Sequence, residues 1–322
     1  MLLAGDVGGT KTLLGLFQRA PRRPVQLEVR AYPTNEFSSF TEILHAFSRD
    51  VRPLSAIEAV AVGVAGPVVN QRASLTNVGF EISAVEITAW SGAIRAALLN
   101  DLEAMASSVD VLTPDELIAL QEGVPRPDGN AVIIAAGTGL GSAYLHRVNG
   151  RLRPVPSEGG HADFAARTDR EIELLRMLRD TFGRAEVEGV LCGPGMVNLH
   201  RFTHAGKPCP ALVNVPAGSE PPAISRAALT GSCPYCVEAL DLFVSAYGSE
   251  TGNLALRGVA TAGVYVGGGI APKILPLLQR GEFIKAFRGK PPMDDLLSRI
   301  PVKVILNQQA GVLGAAVYAN EM

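Results

Sequence analysis

Two short stretches combine acids, glycines and hydroxyls in an order suited to phosphate chemistry. The first is Gly5-Asp6-Val7-Gly8-Gly9-Thr10, entered through Leu2, Leu3 and Ala4 and left through Leu13, Leu14, Leu16 and Phe17. An apolar run, a tight glycine turn and a second apolar run read as strand, turn, strand. Paired glycines let bare backbone N–H groups approach an anion, Thr10 adds a hydroxyl, and Asp6 can hold a cation beside it. The spacing nearly matches a P-loop, with Gly5, Lys11 and Thr12 in register. Position 10 is Thr where that loop needs Gly, and a strand pattern follows where it needs a helix. A plain hairpin turn would account for Gly8-Gly9 alone. The second stretch, Gly137-Thr138-Gly139-Leu140-Gly141-Ser142, repeats the design after the run Ala131-Val132-Ile133-Ile134-Ala135-Ala136. Its glycine spacing is not the dinucleotide fingerprint, since no helix pattern opens after it. Two such hairpins in the two halves of a chain predict a duplicated domain whose turns face each other across a cleft. A third cluster, Gly267-Gly268-Gly269, again closes an apolar run, and the three together point to a nucleotide.

Other candidates carry acid–base or ligand chemistry. Asn100-Asp101 precedes Leu102-Glu103-Ala104, where a carboxylate could accept a proton from a hydroxyl; the pattern alone favours a helix N-cap at Asp101. Glu158-Gly159-Gly160-His161 sets a carboxylate and an imidazole around a glycine bend. A carboxylate that accepts from adjacent sugar hydroxyls reads their stereochemistry; a metal site built from Glu158, His161 and Asp163 is the competing reading. Cys233-Pro234-Tyr235-Cys236 has redox spacing or could be half a zinc site. No second CxxC and no suitably spaced His follow it, while Val237, Leu240, Phe243 and Val244 continue at helical spacing. The pair is therefore expected to be packing residues at a helix start.

The two phosphate turns and the late glycine cluster, in this order, resemble the sugar kinase, actin and Hsp70 superfamily. More narrowly the chain is similar to the bacterial ATP-dependent glucokinases, through Leu75-Thr76-Asn77, Leu99-Asn100-Asp101-Leu102-Glu103-Ala104, Glu158-Gly159-Gly160-His161-Ala162-Asp163-Phe164 and Leu191-Cys192-Gly193-Pro194-Gly195-Met196-Val197-Asn198-Leu199. The likeness runs to Ala310-Gly311-Val312-Leu313-Gly314-Ala315-Ala316 and so spans essentially the whole chain. It implies an α/β fold of two ribonuclease-H-like domains around a central cleft, and phosphorylation of D-glucose by ATP in the first step of glycolysis. It makes Asp101 the catalytic base and gives Asn77, Asn100, Asp101, Glu158, His161 and Glu188 to the sugar. ATP falls to Gly5, Asp6, Val7, Gly8, Gly9 and Thr10, to Gly137, Thr138 and Gly139, and to Gly267, Gly268 and Gly269. Asp6 would organise Mg²⁺ through water. A homodimer is implied. Where the family often has a Trp after Thr76-Asn77, this chain has Val78-Gly79-Phe80, which loses an indole N–H at the sugar pocket. The alternatives are a kinase for another hexose (mannose, fructose or an amino sugar) and a non-catalytic sugar sensor. Repressor relatives carry an N-terminal helix-turn-helix, for which a first strand beginning at Leu2 leaves no room.

The elements that must position these residues are legible in outline. With 322 residues, two domains can each bury a core. Hydrophobic residues at 47% against 19% charged mark a folded chain. The net charge of −2 argues against nucleic-acid and anionic-membrane partners. Met1-Leu2-Leu3-Ala4-Gly5-Asp6 lacks a basic signal-peptide start and no apolar run has membrane-spanning length, so a cytoplasmic location is expected. Strands are predicted at 2–6, 12–17, 25–32 and 59–64. A helix opened by Ser38 carries Phe40, Ile43, Leu44 and Phe47 at helical spacing, and a second helix is predicted over 87–98. The segment 114–130 separates the halves, with a short helix suggested by Leu117, Ile118 and Leu120. Residues 204–224 read as a surface loop. A last strand at 302–306 leads into a helix over 309–318. The predicted division is a small domain, 1–110 with 303–322 packed back on it, and a large domain, 111–302.

Overall fold

Period-2 alternation in the first strand decides which helices cover which of its faces. Side chains alternate along a strand, so Leu3, Gly5 and Val7 share one face of β1 (Leu2–Val7), and Leu2, Ala4 and Asp6 share the other. The computed structural model describes the chain except residues 52–55 and 76–78, and Asn77 lies outside the described residues. After β1 come β2 (Lys11–Gln18), β3 (Val25–Pro33), α1 (Phe40–Asp50) and β4 (Ala59–Val64). A small three-stranded sheet is next, made of β5 (Val68–Val69), β6 (Arg72–Leu75) and β7 (Phe80–Ser83). Then come α2 (Ala84–Ser91), β8 (Arg95–Asn100) and α3 (Asp101–Ser107).

The chain divides into two compact units. The first takes residues 1–116, 151–156 and 307–322, the second 117–150 and 157–306. In the first, the sheet order is β3-β2-β1-β4-β8, antiparallel through the β1–β2–β3 meander and parallel from β1 through β4 to β8. Its Leu3/Val7 face packs on Phe40, Ile43, Leu44 and Phe47 of α1. Its other face carries Leu2, Ala4 and Ala61 against Ala104 of α3 and Val312, Ala315 and Ala316 of α11 (Ala310–Glu321).

The second unit contains β9 (Leu117–Gln121), β10 (Ala131–Ala136) and β11 (Leu140–Val148); β12 (Arg151–Ser157) carries the 151–156 segment counted with the first unit. Helices α4 (Asp169–Phe182), α5 (Gly193–His204), α6 (Glu220–Leu229) and α7 (Pro234–Gly258) precede β13 (Gly263–Gly267). Helices α8 (Leu275–Leu278), α9 (Glu282–Arg288) and α10 (Asp294–Arg299) precede β14 (Val302–Ile305). Strands β11, β10, β13, β14 and β9 lie in that order, β11–β10 and β14–β9 antiparallel and the rest parallel. A hairpin continued by parallel strands thus occurs twice, as the repeated glycine turns suggest. A single core of Val132, Ile134, Phe243, Tyr247, Phe283 and Phe287 lies beneath it.

Four local expectations are revised. Helix α1 is capped by Ser39, whose Oγ accepts from the Glu42 N–H at 3.2 Å, while the Ser38 N–H donates to the Glu42 carboxylate at 2.9 Å. Residues 87–98 are not one helix: Gly92, at φ 66°, ends α2 in the left-handed conformation, and 95–100 pair with β4 as strand β8, buried at Ala97, Leu98 and Leu99. A fully buried parallel strand is apolar on both faces and mimics a buried helix in sequence. Leu117, Ile118 and Leu120 belong to the edge strand β9. The stretch 204–224 includes a turn of 3-10 helix at Pro210–Leu212 and the start of α6.

Candidate active site

In the first unit, alternation along β1 puts Asp6 on the face covered by α3 and α11. Both helices approach closely because glycines leave room. A methyl group on Gly63 of β4 would lie 2.7 Å from the Ala104 Cβ of α3. One on Gly311, in the first turn of α11, would collide with the Asp6 carboxylate. Asp101 is the first residue of α3, directly after a parallel strand ends, where open α/β sheets place their ligand-binding residues. The Asn100 side chain caps that helix. Its Oδ1 accepts from the Leu102 N–H at 2.9 Å, and its Nδ2 donates to the Gly66 carbonyl at 3.1 Å. The Leu102 N–H also reaches Asp101 Oδ1 at 2.8 Å. The cap is therefore Asn100, not Asp101, and Asp101 adds its charge at the helix N-terminus.

Burial, and secondarily the nearby Asp101 charge, raise the Asp6 carboxyl to about 6, against an opposing pull from Lys11. A buried carboxylate raised by a neighbouring one fits a divalent cation, which would offset that repulsion. The adjoining turn is held from behind. The Gly8 N–H bonds the Lys11 carbonyl at 3.0 Å, and Thr34 Oγ1 donates to the Gly8 carbonyl at 2.8 Å. Gly9 and Thr10 complete that turn, with Thr10 exposed. Gly5 and Val7 do not share its setting: Gly5 faces Val62 and Leu14 in the core, and Val7 is fully buried.

The second unit gathers the other candidates. The turn between β10 and β11 closes with Gly137 N–H to the Gly139 carbonyl at 2.8 Å, and Gly193 at the start of α5 donates to the Gly137 carbonyl at 2.9 Å. Glu188 Oε2 accepts from the Leu140 N–H at 2.7 Å, tying a predicted sugar ligand to the phosphate turn. The segment around His161 runs beside the one around Glu186. The Glu188 N–H bonds the Gly160 carbonyl at 2.8 Å, Val187 N–H bonds Ala162 at 2.9 Å, and Phe164 N–H bonds Ala185 at 3.0 Å. Gly160 is required here, because any Cβ would strike the Leu140 carbonyl. His161, Glu186 and Glu188 consequently offer ligand atoms within 4.8 Å of one another. His161 Nδ1 lies 3.2 Å from Glu186 Oε2, and that contact, supported by the charges of Glu188 and Glu158, raises the imidazole above its ordinary value. Asp163 turns aside to Arg184 at 2.8 Å, so the competing Glu158–His161–Asp163 metal set does not form. Glu186 does not stand out in the sequence, although its spacing to Glu188 is that of two residues on one face of an extended segment. Gly267, Gly268 and Gly269 lie at the end of β13 and just beyond it, with Gly268 packed on the end of β10 beside the second turn.

A family model described as Glucokinase matches residues 3–322. The chain belongs to the glucokinase family. A glucokinase of Nostoc sp. is 37% identical over 340 residues, covering 100% of this chain and 99% of the relative. One of Mesorhizobium japonicum is 36% identical, covering 99% and 91%. Among solved structures, a glucokinase from an Antarctic psychrotroph superposes with a TM-score of 0.88 at 27% identity, over 100% of this chain and 99% of that one. A ROK family glucokinase from Streptomyces griseus, solved in complex with glucose and AMPPNP, shares the fold with a TM-score of 0.67 at 20% identity, over 100% and 99% of the two chains. The glucokinase-family fold is that of the actin-like ATPases and sugar kinases, and its two hairpin-bearing sheets are those described above. Among the described residues, no helix is long and apolar enough to cross a membrane.

Proposed function

We propose that this chain transfers the γ-phosphoryl group of ATP to the 6-hydroxyl of D-glucose. The observation that carries the reading is Asp101, a carboxylate at the end of a parallel strand, with the capping duty of its helix already met by Asn100. The hydroxyl oxygen attacks the γ-phosphorus, the bond to the β,γ-bridging oxygen breaks, and the hydroxyl proton passes to Asp101, releasing glucose 6-phosphate and ADP. The turns at 8–10 and 137–139, with 267–269, supply backbone N–H groups to the phosphates. Asp6 would organise Mg²⁺ through water, and the ion would supply charge neutralisation on the transferring phosphate. Glu158, His161 and Glu188 accept from and donate to the sugar hydroxyls, and Asn77 and Asn100 complete the sugar ligands. A protonated His161 donates from both ring nitrogens, and Glu186 favours that state. A cytoplasmic homodimer fits the family resemblance. The deciding measurement is a coupled assay across hexoses and phosphoryl donors. Highest kcat/KM with glucose and ATP is expected. Faster turnover of mannose, fructose or an amino sugar, or sugar binding without turnover, overturns the assignment.

A further inference from the structure

The Cys233-Pro234-Tyr235-Cys236 pair is not isolated in space. His200 and His204, in the last turns of α5, and Cys209, in the loop after that helix, precede it in sequence and converge on it. Ligand atoms of His200, His204, Cys209 and Cys236 all lie within 4.8 Å of one another. Cys209 Sγ and Cys236 Sγ are 3.7 Å apart, and Cys233 Sγ is 3.4 Å from His204 Nε2. Bonds of about 2.3 Å to sulfur and about 2.0 Å to nitrogen, directed tetrahedrally, put sulfur pairs about 3.8 Å apart and sulfur–nitrogen pairs about 3.5 Å apart. Both separations match those of ligand pairs on a tetrahedral centre. They are too long for a disulfide, whose sulfurs sit about 2.05 Å apart, and all four cysteines are free thiols.

We propose that Cys209, Cys233, Cys236 and His204 bind one zinc ion. Three thiolates and an imidazole select a soft-tolerant, tetrahedral divalent cation over magnesium or calcium. His204 Nδ1 lies 2.9 Å from the His200 carbonyl, which fixes the proton there and leaves Nε2 facing the sulfurs, the usual outer-shell arrangement for a metal-binding His. The His200 ring stacks on His204 with centroids 3.7 Å apart, and its buried Nε2, with no hydrogen-bond partner among the described residues, is the alternative nitrogen ligand. The anchor points are well placed. Cys233 is the N-cap residue of α7, with Pro234 in its first turn. Thr203 Oγ1 donates to the Tyr235 carbonyl at 2.8 Å, and Lys207 Nζ lies 2.6 Å from the Tyr235 hydroxyl. The ion would join the end of α5, the loop after it and the start of α7. Four protein ligands leave no open position, so the site is structural.

The test is metal analysis of the protein produced in zinc-supplemented medium and purified without chelators or metal resin. One zinc per chain is expected, with at least a fivefold loss in Cys209→Ser, Cys236→Ser and His204→Ala, and retention in His200→Ala. If those variants fail to fold, cobalt exchanged into the wild-type protein should give the intense visible bands of tetrahedral thiolate coordination. Far less than one zinc per chain in folded wild type, a Cys209–Cys236 disulfide in non-reducing peptide maps, or octahedral cobalt spectra would overturn the site. Zinc lost on changing His200 but kept on changing His204 would overturn the ligand assignment.

Discussion

At the scale of single residues, Asp101 and Asp6 both serve the reaction but differ in what their loss does to stability. Asp101→Asn keeps shape but cannot take a proton, so kcat should fall roughly 10²–10⁴-fold, about 3–5 kcal/mol of barrier. Because Asn100 holds the cap, the melting temperature should stay close to wild type; kcat and melting on one preparation check both. A near-normal kcat with a lowered melting point would return Asp101 to a structural role. Asp6 behaves differently. Its carboxyl titrates near 6 in the fold against 3.8 in the open chain, a difference of about 3 kcal/mol. The raised value means the folded state binds the proton more tightly, so this cost is absent below about pH 4, grows through pH 6 and is complete above it. Asp6→Asn should therefore raise stability at pH 7.5 by up to about 3 kcal/mol, lose that gain at acid pH and abolish turnover; urea titrations at several pH values measure it. No gain at pH 7.5 would mean that the buried charge is already compensated.

At the scale of elements, the glycines decide whether the side chains meet. Gly160→Ala drives a methyl into the Leu140 carbonyl and must displace either the His161 turn or the second phosphate turn. A stability loss of about 1–3 kcal/mol and a raised KM for glucose are expected together. A variant with unchanged KM and melting temperature would show that the bend relaxes freely. The hairpins are legible in the sequence because a glycine turn between two apolar runs has few other solutions, and the strand 59–64 is legible as a buried run. The 87–98 segment is not, since β8 is apolar on both faces and only Gly92 marks the break. Among the site residues, Asp6, Asp101, Glu158 and His161 stand out by local chemistry or resemblance. Glu186 does not, because its meaning comes from lying beside His161 across a non-local pairing. The cysteine–histidine cluster is hidden for a related reason: no His lies at ligand spacing after Cys236, and the fold brings the histidines from the helix before it.

At the scale of the whole molecule, the second unit has a core of its own and the first packs both faces of its sheet, so ligands that bind only the folded form stabilise by mass action. Glucose with a non-hydrolysable ATP analogue, each at 100 times its Kd, should contribute about 2.7 kcal/mol per ligand, read as a rise in melting temperature that an equal concentration of an unrelated sugar does not give. A shift with sugar and none with nucleotide would favour a sensor over a kinase. The first unit is assembled from three separated pieces, and α11 is the last of them. During synthesis, the Leu2, Ala4 and Asp6 face of β1 has α3 but cannot receive α11 until residues 117–306 have been made. At about 5–20 residues per second that interval is roughly 10–40 s. The nascent chain thus carries an incompletely covered sheet face while the whole second unit is being made, the stage of synthesis at which its apolar surface is most open to other contacts.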